Sequence, residues 1–381
     1  MNLKNTIFVS GLAVTILMCL FPGRVYAAPT STEKTVDWKE ADAQVVQRDM
    51  PKTIDEPLFG IGYVGIKEWA TERGKDGIMH AGERQSDGIV QAKALAQSMK
   101  AAGMNCIALC GPYIFYSTDI TPEIAKLVKE LKRDSKLKVF FSLNTFLDFG
   151  NRMKDYSWID QSGGPINNGY ICLQRARKAR VPEIEKTLRA AMDTGFDGAA
   201  LDFFDWGTNN LQDCYCPECI EAFNAYNHSH FDRASLVKAL NDNDGNIMDA
   251  WYRWKTSIRE SVARELIDYA RKEARSRGKA FVVHYYTGGI GSEPAITARE
   301  SMWDAICPMT YGSVSGGTID SPKAIYDAYS QFRQAYRDAG NSRTAIYACL
   351  NAGWGDPPPY KVPAKEMRSL AIAAMKGGAD G

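Results

Sequence analysis

The feature that most constrains this chain is a recurrence of short, continuously apolar runs bounded by turn residues, at 59–66, 105–110, 138–145, 198–204, 280–286, 305–311 and 344–351. Segments of helical period fall between most of them, at 89–102, 122–131, 181–192, 248–275, 322–339 and 364–375. Strands that are apolar throughout, rather than on alternate residues, belong to a parallel sheet covered by helices.

An open doubly wound sheet and a closed barrel both satisfy that pattern. The barrel is favoured because Gly60, Gly62 and Gly65 lie inside the first run, so no glycine-rich phosphate turn separates it from a helix. The expected fold class is therefore α/β, a (β/α)8 TIM barrel, over residues 56–381. Its last residues, 376–381, read Lys-Gly-Gly-Ala-Asp-Gly and echo the Thr-Gly-Phe-Asp-Gly of 194–198 that leads into the fourth run. By that analogy the sequence stops where strand eight begins, and the expectation is a truncated barrel with two unpaired edges.

Residues 1–27 carry Lys4, an apolar stretch over 7–21, and Val25-Tyr26-Ala27 with small residues where a signal peptidase reads. This predicts a secretory signal peptide, and hence a secreted or periplasmic protein. The alternative, an uncleaved anchor, suffers from a run shorter than the ~20 residues a span requires. Residues 28–55 are polar without a clear period and read as an N-terminal arm or linker. With 46 basic against 45 acidic residues the net charge is +1, which argues against nucleic acid as a partner. No membrane partner is expected once the signal is removed.

Chemistry is expected at the C-terminal ends of the strands, where barrels build their active sites. The fourth run ends in Asp202-Phe-Phe-Asp-Trp206, behind the small residues Ala199 and Ala200. Alternation puts Ala200, Asp202 and Phe204 on one face and Asp205 at or beyond the turn. Asp202 is the central catalytic candidate, although strand-end aspartates also cap loops or pair with arginines. A partner carboxylate is offered by Glu68, Asp148, Glu293, Asp304 and Asp356; Asp205 and Glu293 lead, while Asp304 sits at a strand's start and faces the wrong end. Glu293 is read as lying on a glycine-rich loop over 287–292 that could move. Glu68, Tyr113, Asn144, His284, Tyr311, Asn351 and Trp354 recur at strand ends and would line a substrate site by stacking and hydrogen bonding. His284 reads equally well as a structural histidine.

Eight cysteines remain beyond the signal. Cys106, Cys110, Cys307 and Cys349 fall in strand runs and read as small core residues. Cys214, Cys216 and Cys219 form C-x-C-x-x-C on the loop after strand four, and Cys172 lies on the loop after strand three. Together they would complete a closed, structural zinc site, with His228 and His230 as fallback ligands. Two disulfides are the alternative in an oxidising compartment, disfavoured because C-x-C places two bridges awkwardly close. No cofactor for catalysis is expected.

The run Phe196 to Asp205 resembles the fourth strand of several (β/α)8 glycoside hydrolase families, and Pro308-Met-Thr-Tyr-Gly312 resembles the sixth strand of chitinase-like ones. The chitinase pattern departs at its reacting positions: Phe204 stands where that pattern has its glutamate, and Ala200 where it has an aspartate. Leu201-Asp-Phe-Phe-Asp205 is more similar to the polygalactosaminidase and α-galactosidase type, which implies a nucleophile at Asp202 only. Cys214-Tyr-Cys-Pro-Glu-Cys219 resembles the segment by which bacterial β-galactosidases hold a zinc near the active site, and is similar to uncharacterised glycosidase-like families. The combined expectation is an exported glycoside hydrolase acting on an oligo- or polysaccharide. The alternative is a carbohydrate-binding protein on the same scaffold without catalysis.

Overall fold

The computed structural model describes residues 60–65, 72–73, 79–80, 96–97, 99–101, 103–110, 122–133, 137–146, 153–166, 170–202, 214–287, 293–310, 321–350, 353–354, 360–361 and 364–381. The chain divides into two units, Met1–Asp37 and Trp38–Gly381. The first, and with it the expected signal peptide, lies outside the described residues, as does the arm to residue 55. All the architecture that follows belongs to the second unit.

Its centre is one parallel sheet. Strands β1 (Gly60–Gly65), β2 (Cys106–Cys110), β3 (Lys138–Asn144), β4 (Gly198–Asp202), β5 (Val282–Thr287) and β6 (Ala305–Thr310) pair in sequence order. A seventh position is filled by two short stretches, Ala345–Ile346 and Cys349–Leu350, both parallel to β6. Each of the seven apolar runs thus forms a strand in the expected place. Neighbours in space are neighbours in sequence, the order a right-handed barrel winding generates.

The helices that cover the sheet are α1 (Pro122–Arg133), α2 (Leu173–Thr194), α3 (Pro217–Asn227), α4 (Arg233–Asn241), α5 (Gly245–Ser276), α6 (Glu293–Arg299), α7 (Pro322–Asp338) and α8 (Ala364–Gly377). Two departures from expectation have local causes. Helix α2 begins at Leu173 rather than near 181: Pro182 reads as a helix start, yet Cys172 caps the helix and buried Leu173, Ala176 and Arg180 anchor its first turns. Glu293, expected on a glycine-rich loop, instead opens α6. Helix α4 went unread in the sequence; it is held by a capping box between Asp232 and Ser235 and by buried Leu236 and Leu240. Helix α5 runs for 32 residues from an Asp244 cap, with its buried stripe (Trp251, Trp254, Val262, Leu266 and others) at three- and four-residue spacing.

Burial separates two cores. Ile107, Val139, Phe141, Leu143, Ala199, Leu201, Val283, Tyr285 and Ile306 point outward into the layer beneath the helices. Ala108, Phe140, Ala200, Val282, Tyr286, Ala305, Cys307, Ala345 and Tyr347 point inward, where Cys106 and Cys349 join them. Phe140 fills the interior because β4 starts with glycine. A Cβ on Gly198 would meet the Phe140 ring at 2.5 Å and the Val282 carbonyl at 2.3 Å.

The N-terminal rim repeats one device three times. Asp197, just before β4, accepts a 2.8 Å hydrogen bond from Val139 N of β3 and pairs with Lys132 of α1 at 2.8 Å. Asp304, just before β6, accepts from Val283 N of β5 at 2.8 Å and pairs with Arg271 of α5 at 2.9 Å. Asp380 accepts from Ile346 N at 2.9 Å and pairs with Arg333 of α7. The echo between 194–198 and 376–381 is therefore structural: Asp380 sits as Asp197 does. Beyond it, the Gly381 carbonyl accepts from Ala348 N at 2.8 Å, alongside the seventh strand position. Asp304 faces the end away from the strand tips, as its sequence position implies.

Because the Phe140 ring occupies the space of a Gly198 side chain, Gly198→Ala is expected to destabilise the fold by about 1–3 kcal/mol through overpacking. Urea unfolding measures this directly, and an unchanged midpoint would show that the interior is loosely filled.

Candidate functional site

Asp202 is the last residue of β4, and the strand behind it is fully buried. In register it lies beside Asn144, the last residue of β3. Two residues after inward-facing Ala200, Asp202 falls on the inner face, at the C-terminal end, with 4% of its surface exposed. Its main chain is tied to the neighbouring strand end: the Asp202 carbonyl accepts from Thr145 N at 2.9 Å and from Thr145 Oγ1 at 2.7 Å.

Two further inward side chains come from β5. His284 lies in register with Ala200, one layer deeper than Asp202, and its ring packs against Phe140 at 5.2 Å and edge-on to Tyr286 at 5.4 Å. Among the described residues neither ring nitrogen has a hydrogen-bond partner, and burial lowers the imidazole to about 4, so it is neutral at neutral pH. Tyr286 follows on the same face. Burial, and after it the negative charge that Cys307, Cys349 and Asp202 can bear, holds its phenol well above the usual tyrosine range. Burial also pushes the Cys349 thiol up to about 12, with Asp202 adding to the shift. The inner face thus presents a carboxyl group with a protonated phenol and a neutral imidazole nearby. Tyr286 was missed in the sequence although the same period of two that singles out His284 leads to it.

The four cysteines converge behind this face. Cys172, Cys214, Cys216 and Cys219 are completely buried, and their sulfur atoms all lie within 4.8 Å of one another. Cys172 Sγ is 3.8 Å from Cys216 Sγ and 3.4 Å from Cys219 Sγ. A disulfide needs about 2.05 Å, whereas a tetrahedron of sulfurs around zinc with bonds of about 2.3 Å has edges of roughly 3.8 Å. The separations fit a shared metal.

The surroundings suit thiolates too. Cys172 caps α2 and accepts from Arg175 N at 3.4 Å, Cys216 caps α3 and accepts from Cys219 N at 3.4 Å, and Cys214 accepts from Ile159 N at 3.4 Å. Two helix N-termini therefore direct N–H groups and positive dipole ends at the cluster. Hydrogen bonds from the other thiols draw Cys214 far down and Cys216 to about 7, while burial pushes Cys172 and Cys219 up. A metal would replace this sharing of protons with four thiolates. His228 is the C-cap of α3, at the opposite end of that helix from the cysteines, so the fallback ligands are not needed.

Of the other expected site residues, Glu68, Tyr113, Asp205, Tyr311 and Asn351 lie outside the described residues. For Asn144, Glu293 and Trp354 only the backbone is described: at the tip of β3, at the start of α6, and in a two-residue strand, Gly353–Trp354, paired antiparallel with Tyr360–Lys361.

No protein-family model matches the sequence, and no curated protein does. Solved structures do share the fold. A β-galactosidase from Rahnella sp. R3 superposes with a TM-score of 0.55 at 14% identity, over 87% of this chain and 50% of that one. A trehalose-6-phosphate hydrolase from Bacillus licheniformis gives 0.43 at 11% identity over 76% and 56%, and an old yellow enzyme homologue from Zymomonas mobilis gives 0.43 at 11% over 78% and 79%. The likeness is one of fold, and the chain spans about half the length of the β-galactosidase. Sheet order, inner and outer cores, and the superposition on the β-galactosidase together define the class as a (β/α) barrel of the TIM type. Glycoside hydrolases are among its structural neighbours.

Two outcomes follow from this geometry. The protein as purified is expected to carry one zinc per chain, released on Cys219→Ser substitution with a fall in Tm; metal analysis showing none in the reduced wild type would contradict the site. His284 binds its proton less readily folded than unfolded, so stability should fall as pH drops from about 6.5 to about 4, by up to roughly 3 kcal/mol. In His284→Gln that part of the slope should vanish; an identical pH profile would show that His284 is not buried neutral.

Proposed function

We propose that the protein is an exported glycoside hydrolase that cleaves O-glycosidic bonds in an oligo- or polysaccharide, with Asp202 as nucleophile or general base. One observation carries this reading: a buried carboxyl group at the C-terminal tip of a central barrel strand, on the inner face, with its backbone fixed and a protonated phenol beside it. Glycoside hydrolysis requires a second carboxyl group to protonate the leaving oxygen, and Asp205 or Glu293 takes that role here. Tyr286 and His284 hold sugar hydroxyls or the ring oxygen from below. Glu68, Tyr113, Asn144, Tyr311, Asn351 and Trp354 complete the substrate wall. The fold shared with a β-galactosidase is in keeping with a sugar as substrate.

A zinc at the four cysteines serves structure: with every position taken by sulfur it offers no open site for a substrate, and no step of hydrolysis runs through it. Among the described helices none is long and apolar enough to cross a membrane. The product released by signal cleavage after Ala27 is the acting form.

A second reading rests on a specific observation. Among the described residues of the inner face, Asp202 is the one carboxylate. A carbohydrate-binding protein without catalysis would look the same. The signal-free protein, assayed for released reducing ends on a panel of oligosaccharides and aryl glycosides beside Asp202→Asn, separates the two. Turnover that falls at least a thousandfold in the variant, roughly the scale of losing an activated nucleophile or base, supports hydrolysis. Sugar binding without turnover in either protein supports the binding reading.

A further inference from the structure

The tip of β4 is held by a chain of hydrogen bonds that runs to the start of α2, beside the cysteine cluster. Arg180 lies on α2, eight residues after the Cys172 cap, and only 1% of its surface is exposed. Its Nε donates to the Thr145 carbonyl at 2.7 Å, and its Nη1 meets Glu183 at 3.0 Å. Thr145, fully buried, donates both its N–H and its hydroxyl to the Asp202 carbonyl. One residue further, Phe146 O accepts from Ile171 N at 3.1 Å, and Ile171 adjoins Cys172. The two residues after β3 are thus fastened at two points, to Arg180 on α2 and to Ile171 just ahead of its Cys172 cap. The end of α2 from which they hang is set by the sulfur cluster.

A buried guanidinium is costly to desolvate and is kept where its hydrogen bonds are satisfied. Core packing of the apolar α2 stripe (Leu173, Ala176, Ile184, Leu188) already seats the helix. What Arg180 adds is direction: it fixes the carbonyl of Thr145, across the Cα from the N–H and beside the hydroxyl with which the same residue holds the last residue of β4.

We propose that Arg180 and Thr145 are positioning residues for Asp202, coupling its placement to the end of α2 that the cysteine cluster anchors. The step from placement to rate rests on the hydrolase reading above, whereas the clamp itself does not. Neither residue touches substrate; each acts through the backbone of Asp202. Reactions that depend on a carboxyl group's placement are sensitive to shifts of an ångström or less.

The test uses the full signal-free protein and the variants Arg180→Met and Thr145→Val, the second a near-isosteric change that removes only the hydroxyl. Hydrogen exchange is followed at the Thr145 amide, whose N–H is bonded to Asp202 O, with the α5 amides over 262–270 as an internal reference. Loss of one hydrogen bond is expected to speed exchange at Thr145 by about tenfold while the reference holds. On whichever sugar the panel identifies, kcat should fall with KM nearly unchanged, and Arg180→Lys should restore part of it. Unchanged exchange at Thr145 in both variants, or an equal rise at Thr145 and in α5, would overturn the proposal, the latter by showing a general loss of stability. A protein that turns over no sugar yet shows the local rise keeps the clamp and refutes the hydrolase reading instead.

Discussion

The working end of this barrel depends on one small junction, the pair of hydrogen bonds from Thr145 to the carbonyl of Asp202. Parallel strands normally splay once their ladder ends, because each tip leads into its own loop. Here β3 and β4 stay joined one residue past β3, and the loop behind them is fastened to α2. A carboxyl group at a strand tip is useful for chemistry only if its backbone cannot wander. The junction supplies that restraint through the main-chain carbonyl of Asp202.

The two ends of the sheet treat their carboxylates differently. At the N-terminal rim Asp197, Asp304 and Asp380 are each committed to a backbone N–H of the preceding strand and to a lysine or arginine from a helix. Such groups are structural: their charge is matched and their oxygens are occupied. At the other end, Asp202 lies among groups held in neutral form, a phenol and a thiol pushed upward and an imidazole pushed downward by burial. The shifts of these three neighbours come chiefly from burial, which disfavours their charged forms. The four-cysteine cluster, from the segments that follow β3 and β4, belongs to the same end of the sheet as Asp202.

Much of this was legible in the sequence, because buried parallel strands leave unbroken apolar runs between turn residues and seven such runs stand clear. The cysteines were legible because C-x-C-x-x-C is a spacing with few other uses, and Cys172 followed from barrel adjacency of the loops after strands three and four. Of the rim aspartates, Asp197 and Asp380 were visible as an echo of Gly-x-Asp-Gly and Asp304 only as a strand-start carboxylate, since their partners, Lys132, Arg333 and Arg271, sit 65, 47 and 33 residues away. The start of α2 was hidden by Pro182, whose cost is absorbed by tertiary packing. Arg180 and Thr145 gave no local signal at all. Their pairing spans 35 residues and joins a helix face to a strand end, which no periodicity encodes.

The account stands or falls on whether a sugar seats itself against Asp202. A crystal structure of the zinc-loaded, signal-free protein soaked with galactose and with galactosamine tests this most directly. The prediction is a pyranose ring at the C-terminal mouth, with a hydroxyl or its anomeric carbon within about 3.5 Å of the Asp202 carboxyl group and the Tyr286 phenol beneath it. Sugar bound only away from the inner face, or an Asp202 carboxyl group locked in an internal ion pair and closed to ligand, would contradict it.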